Sequence, residues 1–257
     1  MCGRYVIARA QGDLLGGVEL DESIADYNVA PTRTVPILVD HQENDSWTRR
    51  IHSARWGLLP RWAKDESFSS RAFNARSETV VEKPTFRHAV KTQRCAVPAN
   101  GYYEWAKHTA ESGSGRGKTP KTPYFVHPRD PQDSIYFAGL YEWWKIPSGE
   151  DAGQWLLSTT ILTTASPDDE AARKDETLGE LARLHDRLPI PLRFTGDNDD
   201  ELTSWLRAEH SPEEAVERVR DNAYDVASHW ILTEVGREVG SVANNGPDLI
   251  EPVSRLI

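Results

Sequence analysis

Strand-like runs fill most of this chain before any clear helical pattern appears, and that order constrains the fold more than any other feature. Residues 3–8 carry the β-formers Tyr5, Val6 and Ile7. Residues 35–40 and 48–58 read as paired strands around a polar turn at 41–45. Two further runs at 94–98 and 101–105 are broken at Ala99 and Asn100, and others follow at 124–127, 134–144 and 155–164. Residues 27–36, with Asn28, Pro31 and Pro36, read as an ordered loop, and 109–123, rich in Ser, Gly, Lys and Pro, as a flexible surface loop. Helices are expected at 168–184, 201–208 and 212–220, the last with Ser211 as N-cap and Pro212 at its first position. Many short strands with a few late helices predict an α+β fold, with a curved, mostly antiparallel, barrel-like sheet and flanking helices. The most distinctive segments lie at both ends and in the middle. Their convergence on one site would make residues 1–257 a single domain.

The chain is 38% hydrophobic and 27% charged, which suits a soluble globular enzyme. No apolar run approaches the roughly 20 residues of a membrane span. There is no basic segment followed by an apolar one at the N-terminus, so no signal peptide is expected. Two cysteines, Cys2 and Cys95, give no disulfide framework and fit a reducing, cytoplasmic setting. No CxxC or HExxH spacing offers a metal site, and no cofactor is implied. The net charge of −10 argues against casual binding of nucleic acid. Yet residues 46–107 hold 12 Lys and Arg against 5 Asp and Glu, so that stretch is +7 and the remainder −17. It is either a focused phosphate-binding surface or a solvated face with scattered ion pairs.

The chemistry begins at Met1-Cys2-Gly3-Arg4. Removal of the initiator methionine before a small residue leaves an α-amine and a thiol on adjacent carbons. An α-amine titrates at about 7.7–8.0, so much of it is neutral near pH 7, and thiolate is a strong nucleophile. An aldehyde meeting both can form an imine and close to a thiazolidine. Read without that chemistry, Cys2 is a small hydrophobe opening a strand. In 74–79, Asn74 can orient an amine or thiol and Arg76 can grip a phosphate, or Asn74 can simply cap a helix. In 94–105, Glu104 lies between Tyr103 and Trp105. Strand alternation puts Tyr102 and Glu104 on one face, where a carboxylate among aromatics could shuttle protons. An exposed glutamate on a half-buried strand is the alternative. In 185–189, His185 can move protons and Arg187 can add a phosphate contact. A surface histidine after a helix fits the same residues. In 56–62, two tryptophans and Arg61 suit base stacking and phosphate contact. The alternative is core packing, which fits Trp56 better than Trp62.

Taken in order, Cys-Gly-Arg, YNVAPT (27–32), WGLLPRW (56–62), NARSET (74–79), CAVPANGYYEW (95–105) and HDRLP (185–189) resemble the SOS response-associated peptidase (SRAP) family, also called abasic site processing proteins. The resemblance runs from Cys2 to about Pro252. It implies a thiazolidine crosslink between the mature Cys2 and the ring-opened sugar of an abasic site in single-stranded DNA, within a DNA-damage (SOS) response. It also implies a peptidase step that removes Met1. By position Cys2 resembles the nucleophile, Asn74 the asparagine that orients it, Glu104 the proton shuttle and His185 the active-site histidine. Arg76 and Arg187 match positions that contact phosphates, and Arg4, Pro31, Trp62 and Thr163 fall in segments lining the DNA groove. The expected partner is single-stranded DNA containing abasic sites, bound by a monomer with no membrane contact. The loop at 109–123 and the stretch 166–184 look longer than a minimal member needs.

Three other functions use the same residues. An N-terminal-nucleophile glutamine amidohydrolase also begins Met-Cys-Gly, but NARSET and HDRLP go unexplained by it, and a glutaminase assay separates the two. A Cys2–His185–Glu104 protease would turn over peptides without DNA. A plain single-strand-binding module would bind intact and abasic DNA alike and survive loss of Cys2.

Overall fold

The computed structural model describes residues 2–8, 25–107, 121–130, 133–196 and 200–253. Among these, the larger of two sheets is built around β3 (Thr34–Glu43) and β4 (Ser46–Trp56), paired antiparallel along their full length from Thr34↔Arg55 to Glu43↔Ser46. Their turn is tighter than the expected 41–45, because only Asn44 and Asp45 lie outside the ladder. Asn44 adopts a φ of 55°, a left-handed conformation that Asn tolerates. The paired residues nearest the turn carry Asp40, Arg49, Glu43 and Arg50. Asp40 accepts from Arg49 at 2.7 and 3.1 Å, and Arg50 pairs with Glu43. These bonds favour extended strands over a wide loop.

β3 also pairs with β6 (Arg94–Ala99), β6 with β9 (Ile135–Lys145), β9 with β10 (Trp155–Ala165), and β10 with β4 in parallel. The five strands therefore close into a ring, which removes exposed sheet edges. Three short strands join its margins: β5 (Asn74–Arg76), parallel to β10, and β11 (Arg187–Pro189) and β12 (Pro191–Leu192), antiparallel to β10 and β9. The second sheet is antiparallel throughout, in the order β13 (Trp230–Glu234), β8 (Lys121–Pro128), β7 (Gly101–Lys107), β1 (Tyr5–Ile7), β2 (Asp26–Val29). This is the α+β class that the run order predicts, with parallel pairing confined to β10.

Asn100 alone separates β6 from β7, and it is the corner at which the chain changes sheets. Its N–H donates to the Val6 carbonyl at 2.8 Å and its Oδ1 accepts from the Ala8 N–H at 2.7 Å. Gly101 follows because a Cβ there would come within 2.5 Å of the Phe125 ring. Edge-on aromatic contacts bind the sheets together: Tyr5 on Trp56, 5.1 Å between centroids, and Tyr102 on Phe137, 6.0 Å.

Some segments differ from the sequence reading. Residues 27–36 are not a loop, since β2 and the start of β3 occupy most of them. The 168–184 helix is two, α2 (Asp169–Lys174) and α3 (Glu176–Leu184). Asp175 between them is extended, and its carboxylate caps α3 by accepting from the Leu178 N–H. α1 (Ala89–Thr92) is a single turn, and α4 (Glu201–Leu206) ends short of 208. α5 (Pro212–Ala227) runs a further seven residues beyond 220 because Ala223 and Ala227 extend its buried stripe; Ser211 caps it as expected. Of the loop expected at 109–123, residues 109–120 lie outside the described residues, and 121–123 belong to β8. No helix among the described residues is long and apolar enough to cross a membrane.

Gly57 ends β4 with a φ of +136°, and a Cβ there would lie 2.2 Å from the Ser69 carbonyl oxygen. Gly57→Ala is predicted to cost about 2–4 kcal/mol in urea denaturation, from strain and clash together. An unchanged midpoint would contradict this geometry.

Candidate active site

Cys2 is drawn inward because β1 continues the second sheet: the Tyr103 N–H donates to the Arg4 carbonyl at 2.9 Å, and Cys2 packs fully buried in the main core. Asn74 reaches it from the other sheet. β5 lies in register on β10, Asn74 opposite Ile161 and Arg76 opposite Thr163, so Asn74 is a strand residue rather than a helix cap. Its Nδ2 donates to the Cys2 carbonyl at 2.7 Å. Its Oδ1 is buried and has no partner among the described residues.

Alternation along β7 falls as the sequence pattern predicts. Tyr102 joins the main core with Cys2, while Tyr103 and Trp105 pack in a separate cluster behind the sheet. Glu104 is therefore buried rather than exposed. Burial pushes its carboxyl above the ordinary carboxylate range, opposed in part by the Trp105 N–H at 3.4 Å. Burial, and then the field of Glu104, pushes the Cys2 thiol far up. Burial and the field of Cys2 do the same to the hydroxyls of Tyr5 and Tyr102. The buried thiol thus stays protonated until a base takes its proton.

His185 brings the histidine chemistry to this carboxylate. It ends α3 in extended backbone, with Nε2 3.9 Å from Glu104 Oε1. Its Nδ1 lies 3.0 Å from the Arg187 N–H and 2.7 Å from Asp186 Oδ1. The amide needs a lone pair on that nitrogen and the carboxylate needs a proton there. Nδ1 thus faces one donor and one acceptor, while Nε2 faces Glu104.

At the rim, Arg76 is exposed and Trp62 is 55% exposed, its ring edge-on to Phe68 at 5.1 Å. The loop that carries Trp62 is held from beneath. The Leu59 N–H donates to Ser158 Oγ at 2.8 Å, Trp144 Nε1 to the Ala63 carbonyl at 2.9 Å, and Arg61 Nε to Glu142 at 3.2 Å. Trp56 is core, as expected, bonded to the Phe73 carbonyl. Pro31 is half-buried in a tight turn whose next residue, Thr32, has a φ of 75°. That conformation is costly for a β-branched residue, and nothing in the sequence flagged it.

Three expected groove residues sit deeper than a surface contact. Arg4 donates to Asn28 Oδ1 at 2.8 Å and to the Val239 carbonyl at 3.0 Å, tying the N-terminal strand to the C-terminal segment. Thr163 is 1% exposed. Arg187 is ion-paired to Glu78 of the NARSET segment. The basic stretch is also less free than its count suggests. Arg94 is buried over the Trp205 ring, and Arg49, Arg50, Arg55 and Arg61 each meet a carboxylate. Cys95 is a core thiol pushed up to about 12 by burial, 3.4 Å from Thr159 Oγ1. Among the described residues no cluster of three or more His, Cys, Asp or Glu is arranged to hold a metal.

Known proteins are similar to this chain in sequence and in fold. A family model described as SOS response associated peptidase (SRAP) matches residues 1–242. The chain is 31% identical to "Abasic site processing protein YoqW" of Bacillus subtilis (strain 168), over 98% of this chain and 99% of that one. It is 30% identical to "Abasic site processing protein HMCES" of Gallus gallus, over 88% of this chain and 66% of that one. A crystal structure of a Bacteroides thetaiotaomicron protein superimposes with a TM-score of 0.71 at 21% identity, covering 98% of this chain and all of that one, and so shares the fold.

Because the Glu104 carboxyl titrates above its unfolded value, its protonated form favours the folded state. Its contribution to stability is present below the ordinary carboxylate pKa and lost as pH rises through the raised one. Glu104→Gln is therefore predicted to resist urea better than wild type at about pH 8, with the gain shrinking toward zero at about pH 4. A variant less stable than wild type at the higher pH would contradict this account.

Proposed function

The chain belongs to the SOS response-associated peptidase family, and from that premise we propose that it crosslinks abasic sites in single-stranded DNA through its mature N-terminal cysteine. The observation that carries this reading is the convergence of Cys2, Asn74, Glu104 and His185 from distant segments. Relatives named for abasic site processing, aligned along nearly the whole chain, support it.

Removal of Met1, by the chain itself or by an aminopeptidase, hydrolyses one peptide bond and frees the Cys2 amine. The ring-opened deoxyribose presents an aldehyde. The neutral amine attacks its carbon, and the adduct loses one water to give an imine. The sulfur then attacks the imine carbon while its proton goes to the imine nitrogen, closing the thiazolidine. No oxidant or reductant is needed, and the crosslinking steps after Met1 removal release one water. Glu104, held above the ordinary carboxylate range, takes and returns the amine and thiol protons. Asn74 fixes the Cys2 backbone and has a buried acceptor for the new amine. His185 is placed to move the proton needed for sugar ring opening or crosslink reversal. Trp62 stacks on a base and Arg76 meets a phosphate, which favours a single strand whose sugar is accessible without unstacking a duplex.

The test is an abasic oligonucleotide incubated with wild type, Cys2→Ala, Cys95→Ala and a form that retains Met1. Wild type and Cys95→Ala are expected to give an adduct that survives denaturation without borohydride. Cys2→Ala and the Met1-retaining form should each give at most an imine trapped by borohydride. Glu104→Gln should slow crosslinking by on the order of 100-fold. A stable adduct from the Met1-retaining form would overturn the aminothiol mechanism, because the peptide nitrogen of a Cys2 still joined to Met1 cannot form the imine.

A further inference from the structure

Arg187 has almost nothing left to offer a phosphate. Its Nη1 donates to Glu78 Oε1 at 2.7 Å and its Nη2 to Glu78 Oε2 at 2.9 Å. Nη2 also donates to the Thr163 carbonyl at 2.7 Å and lies 3.2 Å from Thr163 Oγ1. The Nε–H is buried without a partner among the described residues. The Arg187 side chain is 11% exposed, whereas that of Glu78 is 39% exposed. The carboxylate is thus the outward half of the pair and covers the guanidinium from the solvent side. A carboxylate and a phosphate present paired oxygens to the same two-pronged edge.

We propose that Glu78 is an electrostatic latch: with no DNA bound it fills the edge of Arg187 that a strand phosphate takes, and it must let go for the strand to seat. The proposal rests on the reading above that Arg187 faces the strand. The backbone keeps Glu78 within reach. β5 leads directly into it, and the Ser77 N–H donates to the same Thr163 carbonyl that Arg187 grips, at 2.9 Å. Burial alone would raise the Glu78 carboxyl, but the Arg187 hydrogen bonds and the fields of Arg187 and Arg220 outweigh it and hold the carboxyl below the ordinary range. The latch is therefore charged at neutral pH. The pair is bidentate but its carboxylate half is open to solvent, so a polyanion can compete for the same edge. Its cost to binding is double: Arg187 must change partners, and a carboxylate stays beside the strand.

The test is binding of an undamaged, fluorescently labelled oligothymidylate, followed by anisotropy across a salt series. Wild type, Glu78→Gln, Arg187→Gln and the double variant are compared. Glu78→Gln keeps the size and one acceptor oxygen but removes the charge. It is expected to bind about tenfold tighter at low salt, and the slope of log K against log salt should steepen by about 0.7, the value for one further phosphate on a single strand. In the Arg187→Gln background the same change should have little effect. Glu78→Ser is read in the same way if Glu78→Gln folds poorly. Unchanged or weaker binding by Glu78→Gln would overturn the latch. So would an equal gain in the Arg187→Gln background, which would assign the effect to general repulsion. Failure of wild type to bind the strand at all would instead overturn the DNA-binding reading itself.

Discussion

β10 is the constraint on which the site depends. Along its eleven residues it exchanges β4 for β5 as its parallel partner and β9 for β11 as its antiparallel one. The first pairings close the ring. The second pairings dock two short strands that could not persist alone, since an isolated pair of this length is unstable in water. β5 carries Asn74 and Arg76, and β11 opens with Arg187, two residues after His185. Thr163 stands between Arg76 and Pro189, so two motifs more than 100 residues apart meet across a single strand. The second sheet completes the arrangement. It delivers Glu104 on β7 and Cys2 on the segment leading into the neighbouring β1, and the Tyr5–Trp56 and Tyr102–Phe137 contacts lock it onto the ring.

The chemistry follows from where this architecture puts charge. A carboxyl and a thiol share a buried, aromatic setting that disfavours the ionised form of both. Either would be an inert core group if isolated. Placed together, with His185 Nε2 3.9 Å from Glu104 and its Nδ1 beside an amide and a second carboxylate, they form one cluster of acid–base groups. A buried carboxyl held above its ordinary range costs the fold stability at neutral pH, as functional positions commonly do.

The legible part of the sequence was what local chemistry determines. The long β3–β4 hairpin, the alternation that puts Tyr102 and Glu104 on one face, the Ser211-Pro212 helix start and the core position of Trp56 all follow from pattern and side-chain type. What was not legible depends on pairing at a distance. β5, β11, β12 and β13 are short, and what makes them strands is partners elsewhere in the chain rather than an alternating pattern of their own. The split at Asp175 was missed because one aspartate capping a new helix looks like one more polar residue on an old one. Charge counting misled in a similar way. Arg4, Arg94 and Arg187 count as cations in the sequence, yet each is spent on carbonyls, an aromatic ring or a carboxylate inside the fold. The Glu78–Arg187 pair was not legible, because it exists only once β5 and β11 lie on the same strand.

The central claim is that the reactive unit is the 1,2-aminothiol of a Cys2 freed from Met1. Intact mass spectrometry of the protein after reaction with an abasic oligonucleotide tests it most directly. The account predicts one new species, with the mass of the chain lacking Met1 plus the oligonucleotide minus one water, and with fragmentation placing the link on Cys2. A species that keeps Met1, or a link that maps to Cys95 or to a lysine, would contradict it.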